Sequence, residues 1–169
     1  MKAIFHADEK WGIGKGNDLM FSLPKDMKFF RETTKGKTVV MGLNTLHSFP
    51  GGKPLKNRVN IVLSPEDVTE DVVTVHNFGE LFEELKKYPA DEVFVIGGAS
   101  VYRALIPYCS EVLVTKVKAD GGAETFVPDL DEDPDFSLAY AGEWEEDNGY
   151  LIKFCTYHNN HVKKWGGCS

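Results

Sequence analysis

Short runs of β-branched and aromatic residues alternate with amphipathic stretches along most of the chain. Ala3-Ile4-Phe5-His6, Thr38-Val39-Val40-Met41, Val59-Asn60-Ile61-Val62-Leu63, residues 72–75, Val93-Phe94-Val95-Ile96 and residues 112–117 read as strands. Several are almost continuously apolar, the pattern of strands whose two faces are both covered by helices in a largely parallel sheet. Between them, Ser22 as a cap and Pro24 in the first turn predict a helix over 24–35 that stops near Gly36. Leu81, Phe82 and Leu85, with Pro89 just beyond, predict a helix over 79–88. A third helix is expected over 99–105, directly after a strand and two glycines. Past Glu124 the pattern changes to prolines and acids, then to alternating segments over 136–141 and 150–157. Those predict a closing antiparallel hairpin, with Asp147-Asn148-Gly149 near its turn. The expected fold class is α/β: one domain over 1–158 with a central, mostly parallel twisted sheet, an antiparallel C-terminal edge strand or hairpin, and flanking helices. Residues 159–169 are expected to form a tail.

Composition narrows the function classes. A chain of 169 residues with 42% apolar and 27% charged residues suits one well-buried domain. A net charge of -7 argues against nucleic-acid and anionic-membrane binding, both of which need surplus positive charge. No apolar run approaches the roughly 20 residues that span a bilayer, and the first residues turn polar too soon for a signal peptide. Cys109, Cys155 and Cys168 form no C-x-x-C pair and suggest no metal site, so reduced thiols in a cytoplasmic protein are expected.

Candidate chemistry sits at two strand–glycine–helix junctions and one acid. Ile96-Gly97-Gly98-Ala99-Ser100-Val101-Tyr102 runs a strand into paired glycines, where a ligand can approach the backbone and helix amides can hold phosphate oxygens. The same residues also suit a plain tight turn. Met41-Gly42-Leu43-Asn44-Thr45 repeats the layout, and two such junctions in one small sheet favour a dinucleotide, although neither is a G-x-G-x-x-G fingerprint. The glycine-rich stretch from Gly12 to Asp18 reads as a lid over a cleft or as an ordinary loop. Asp26 falls in a first helical turn, on one face with Phe30 and beside Met27. An acid against that apolar surface is suited to holding a proton or binding a cationic heterocycle; an exposed helix-start aspartate is the plainer alternative.

Taken in order, Gly12-Ile13-Gly14, Leu23-Pro24-x-Asp26, Phe30, Val40-Met41-Gly42-x-x-Thr45, Ser48-Phe49-Pro50, Pro54-Leu55, Arg58-x-Asn60, Leu63-Ser64, Ile96-Gly97-Gly98-x-x-x-Tyr102 and Thr115 resemble dihydrofolate reductase over nearly the whole chain. The resemblance implies reduction of 7,8-dihydrofolate by NADPH, with a hydride delivered to C6 and a proton gained at N5. It makes Asp26 the acid that holds the 2-amino and N3 edge of the pterin, supported by Thr115. Ile4, Phe5, Met27, Phe30, Phe49, Leu55, Ile96 and Tyr102 would line the substrate pocket, and Arg58 would pair with the glutamate α-carboxylate. On the cofactor side it implies His6, Ile13, Gly14, Leu19, Gly42, Leu43, Asn44, Thr45, Leu63, Ser64, His76, Gly97, Gly98, Ala99, Ser100, Val101, Tyr102 and Thr125, with a cis peptide at the paired glycines. Antifolate inhibitors are implied as further ligands, and a monomer is expected.

The chain departs from the family pattern at several places. Leu43 and Ser100 stand where the family often has Arg or Lys, leaving Ser64 and His76 to meet the NADPH 2′-phosphate and making NADH a possible cofactor. Phe21 replaces a usual Trp, His6 a small apolar residue, and Glu124 an Asp that ties a neighbouring loop to the lid. Two alternatives follow: a reductase of the same fold acting on another pterin or pyrimidine, and a non-catalytic pterin- or nucleotide-binding protein. Arg58 favours folate, since it has an obvious role only with a carboxylate-bearing substrate.

Overall fold

Val39, Val40 and Met41 are completely removed from solvent, and burying three successive side chains requires apolar cover on both faces of the strand. The computed structural model describes residues 1–16, 20–68 and 71–164 and supplies that cover. Its elements are β1 (Lys2–Ala7), β2 (Gly12–Gly14), α1 (Pro24–Thr34), β3 (Thr38–Gly42), α2 (Leu43–Ser48), β4 (Val59–Leu63), β5 (Val73–Val75), α3 (Phe78–Leu85), β6 (Val93–Gly97), α4 (Ala99–Leu105), β7 (Glu111–Val117), β8 (Thr125–Phe126), β9 (Phe136–Ala141), β10 (Glu145–Asp147) and β11 (Tyr150–Asn159).

The main sheet runs β10-β11-β7-β1-β6-β3-β4-β5, with β9 also on β11. Every pairing from β7 to β5 is parallel, whereas β11 is antiparallel to β7, β9 and β10. The single α/β domain with an antiparallel edge is therefore present as expected. Strand alternation divides the core. Ala3, Phe5, Val40, Ile61 and Val95 enter one cluster, while Ile4, Val39, Met41, Val62 and Phe94 enter another across the sheet.

Three details differ from the sequence expectation. Ser22 does not cap α1: the cap position is Leu23, which makes no side-chain cap bond. The helix over 79–88 is shorter and earlier, because Asn77 accepts from the Glu80 amide at 2.9 Å and starts it at Phe78. It ends at Leu85, since Tyr88 precedes Pro89 and is steered from helical backbone. The C-terminal edge holds a third strand, β10, joined to β11 through Asn148 and Gly149, whose φ values of 53° and 88° suit a tight turn of the I′ kind. The expected lid stretch begins as β2, paired with β8, and Glu124 Oε1 accepts from the Gly16 amide at 2.8 Å; residues 17–19 lie outside the described residues.

At the edge, Tyr157 Oη donates to Asp131 Oδ1 at 2.6 Å and Lys116 Nζ donates to Asp131 Oδ2 at 2.9 Å. Burial pushes the Asp131 carboxyl up, but these two bonds outweigh it and hold it below its ordinary range. A lowered folded-state value stabilises the fold above the unfolded value of about 3.9 and is lost as pH falls through the folded one. Asp131→Asn should thus be less stable than the parent at neutral pH, with the gap closing below about pH 4. Denaturant midpoints across pH measure it, and a gap that stays constant into acid would refute the assignment.

Candidate active site

The site is organised by the first turn of α1. Pro24 starts the helix where an amide is not needed, and the turn places Asp26 over the end of β7. Thr115 Oγ1 donates to Asp26 Oδ1 at 2.7 Å, and His6 Nδ1 lies 3.2 Å from Asp26 Oδ2. The carboxylate side chain is only 13% exposed, so these donors matter: an ionised carboxylate in such a place needs its lone pairs met. The amides of this turn are met from elsewhere. Asp147, buried at the end of β10, accepts from Lys25 N at 3.0 Å and from Asp26 N at 3.2 Å. Asn148 Nδ2 adds a bond to Ser22 O at 2.8 Å. Asp147 thereby does the capping that Ser22 was expected to do, from 121 residues away.

Beside Asp26 lies an apolar wall. Ile4, Phe30, Phe49, Leu55, Ile96 and Leu43 share one cluster with Met41 and Leu46. Two expected members, Phe5 and Tyr102, pack on the other face of the sheet with their rings 5.0 Å apart. Met27, next to Asp26 on α1, is exposed. Tyr102 is buried with Phe5, and its hydroxyl donates to Ile4 O at 2.8 Å. Burial, with the Asp26 charge adding to it, pushes this phenol well up, so it stays a neutral donor that pins α4 to β1.

At the far end of α1, Arg58 donates from Nε to Thr34 Oγ1 at 2.8 Å, from Nη1 to Lys56 O and from Nη2 to Arg31 O. A guanidinium carries five N–H donors, so one remains on each terminal nitrogen, the pair a carboxylate accepts in a fork. Burial and then the neighbouring Arg31 push Arg58 down from its ordinary value, two effects an incoming carboxylate would offset. Asn60 holds the loop that presents Arg58: its side chain accepts from Leu55 N at 3.1 Å and donates to Leu55 O at 2.9 Å.

The glycine junctions lie side by side, with Met41 of β3 in register with Gly97 of β6. Gly97–Gly98 is cis, as the family resemblance implies. A Cβ on Gly97 would lie 3.0 Å from Thr45 Oγ1, at a φ of +136° that other residues rarely adopt. Gly42 and Gly98 precede α2 and α4 without a side-chain cap bond, so no side chain occupies the acceptor position at either start. Ala99, Ser100 and Val101 open α4, and Asn44 and Thr45 lie in α2. Leu63 ends the adjacent strand β4, and Ser64 follows it. His76 is already engaged: Nδ1 is 3.0 Å from Ser64 O and Nε2 is 3.2 Å from Asp67 Oδ1. Ile13, Gly14 and Thr125 meet at the β2–β8 pairing, while Leu19 lies outside the described residues.

An acid over an apolar wall, a forked cation beyond it and paired glycine junctions opposite define a class: a dinucleotide-dependent reductase of a flat heterocycle. A family model described as dihydrofolate reductase matches residues 1–159. Dihydrofolate reductase of Bacillus subtilis is 33% identical over 168 residues, covering 97% of each chain. That of Haemophilus influenzae is 31% identical over 144 residues, covering 84% of this chain and 88% of its own. The solved structure of dihydrofolate reductase from Enterococcus faecalis, complexed with NADP(H) and RAB-propyl, superposes with a TM-score of 0.82 at 35% identity, covering 94% of this chain and 95% of that one. This chain belongs to the dihydrofolate reductase family.

Asp147 and Asn60 were missing from the sequence reading as site supports. Asn60 left a signal, a polar residue inside an apolar strand; Asp147 left none, because its partners are distant in sequence. Asp147→Ala should lower stability by about 1–2 kcal/mol, the usual range for a lost helix cap, as measured by chemical denaturation. An unchanged midpoint would remove Asp147 from the support of α1.

Proposed function

We propose that this cleft reduces 7,8-dihydrofolate to 5,6,7,8-tetrahydrofolate with NADPH, and that Asp26 is its catalytic acid. The observation that carries the reading is the Asp26 carboxylate, held by Thr115 and His6 with two acceptor positions left for the N3–H and 2-amino edge of a pterin. Phe30, Phe49, Leu55 and Ile96 pack the ring and benzoyl group against Ile4 and keep water from the reacting face. Arg58 takes the α-carboxylate with its two remaining N–H groups. Asp26 supplies the charge that favours a proton on the ring as N5 becomes basic.

The residues fit a dinucleotide: Gly97 admits no Cβ beside Thr45, and the starts of α2 and α4 carry no side-chain acceptor. When bound, NADPH supplies the hydride for C6. Leu43 offers no cation to its 2′-phosphate, and Asp67 already holds His76. The Ser64 hydroxyl oxygen accepts from the Glu66 amide at 3.2 Å, which leaves one uncharged O–H to donate to the phosphate. Preference for NADPH over NADH should accordingly be modest.

The catalytic unit spans 1–159, since Asn159 closes β11 and its side chain donates to Pro107 O and Cys109 O, and 160–169 takes no part in it. The enzyme works as a cytoplasmic monomer, binds antifolate diaminopyrimidines at Asp26, and has no nucleic-acid or membrane partner. The net charge of -7 supports the last point, and no helix among the described residues is long and apolar enough to cross a membrane.

Purified protein with dihydrofolate and NADPH should consume the reduced nicotinamide; folded protein that turns over neither cofactor refutes the assignment. Asp26→Asn should keep folate binding and lower kcat at neutral pH by about 10²- to 10⁴-fold. Leu43→Arg should raise the ratio of kcat/KM for NADPH over NADH by about tenfold or more, the worth of one charge-assisted bond to phosphate. An unchanged ratio would free Leu43 of any part in cofactor choice.

A further inference from the structure

His6 is the only buried histidine among the described residues, and its Nε2 is the only buried side-chain nitrogen or oxygen there without a hydrogen-bond partner. The ring stands between Asp26 and Phe21, with its centroid 6.0 Å from the Phe21 ring and its side chain 6% exposed. An ionised carboxylate only accepts, so the contact from Nδ1 to Asp26 Oδ2 puts the imidazole proton on Nδ1 and leaves Nε2 bare. A second proton, on either ring or carboxylate, turns the pair from one net negative charge to none.

The surroundings do not supply that charge balance by another route. Thr115 on β7 and Tyr102 on α4 present neutral hydroxyls, the first to Asp26 and the second to Ile4 O. Asp147 on β10 faces the amides of Lys25 and Asp26. Lys25 turns its ammonium to Glu146 O at 2.6 Å, and Lys116, next to Thr115 on β7, turns to Asp131. Phe21, from the segment before α1, brings no charge at all.

We propose that His6 is a specificity-determining residue that sets the charge of the ring Asp26 accepts. With a single proton on the pair, Asp26 takes a cationic or a neutral heterocycle; with two, it takes only a neutral one. A cationic diaminopyrimidine therefore binds with release of the second proton, while a neutral pterin binds without it. The proposal rests on the reading that Asp26 holds the amino edge of the ring.

The test compares the parent with His6→Asn, whose side-chain amide can donate to Asp26 but cannot gain a charge. Dissociation constants for trimethoprim and for folic acid are measured between about pH 8 and pH 5, where histidines titrate. For trimethoprim, the ratio of parent to variant constants should rise by about tenfold or more across that range, as linkage to one proton requires. The ligand's own protonation cancels in that ratio. For folic acid the ratio should stay flat. Parallel trimethoprim curves in the two proteins would overturn the role of His6 and leave Asp26 standing. Failure of the folded parent to bind either ligand would overturn both. If the variant does not fold, ¹⁵N spectra of histidine-labelled parent decide. The buried ring should be the Nδ1–H tautomer and should stay singly protonated to lower pH when trimethoprim is bound. An Nε2–H tautomer, or a titration that trimethoprim leaves unmoved, would overturn the proposal.

Discussion

A carboxylate can stand at the edge of an apolar wall only if its lone pairs, and the helix turn that carries it, are both satisfied. In this protein that condition is met by three separate parts of the sheet. Thr115 comes from β7, His6 from β1 and Asp147 from β10, and all three converge on the first turn of α1. Moving any of these strands by one residue would reverse the side chain it presents. The register of β1 against β7, with His6 beside Thr115, is therefore what makes the site possible.

The same sheet separates the two halves of the chemistry. Alternation along β1 sends Ile4 to the apolar cluster with Phe30 and Ile96, and Phe5 to the opposite cluster, where it supports Tyr102. Tyr102 in turn ties α4 to β1 through Ile4 O, so the helix that follows the paired glycines is anchored to the strand that carries His6. The Asp26 side and the glycine-junction side are thus coupled through a few bonds in a rigid sheet. The contact from the Gly16 amide to Glu124 is an exposed bond between loops and is weaker in kind.

Much of this was legible along the chain. Pro24, the continuous apolar run of Val39-Val40-Met41 and the pairs Gly97-Gly98 and Asn148-Gly149 each state a local backbone requirement, and each element formed where it was expected. The cluster of Ile4, Phe30, Phe49, Leu55 and Ile96 followed from the family resemblance and assembled on one face. The errors were of another sort. Ser22 had the right residue type for a cap, but Asp147 reached the amides first. Phe5 and Tyr102 had the expected elements, but their rings pack on the opposite face of the sheet.

Periodicity, turn residues and the order of motifs determined most strands, the helices and the family, and picked out Asp26. They do so because each depends on neighbours within a few positions, where propensity and sterics act directly. The tertiary structure alone decided what surrounds Asp26. A hydrogen bond from His6, 20 residues away, or from Thr115, 89 away, leaves no local trace. It exists only once the parallel sheet has brought β1, β7 and β10 to the end of one helix.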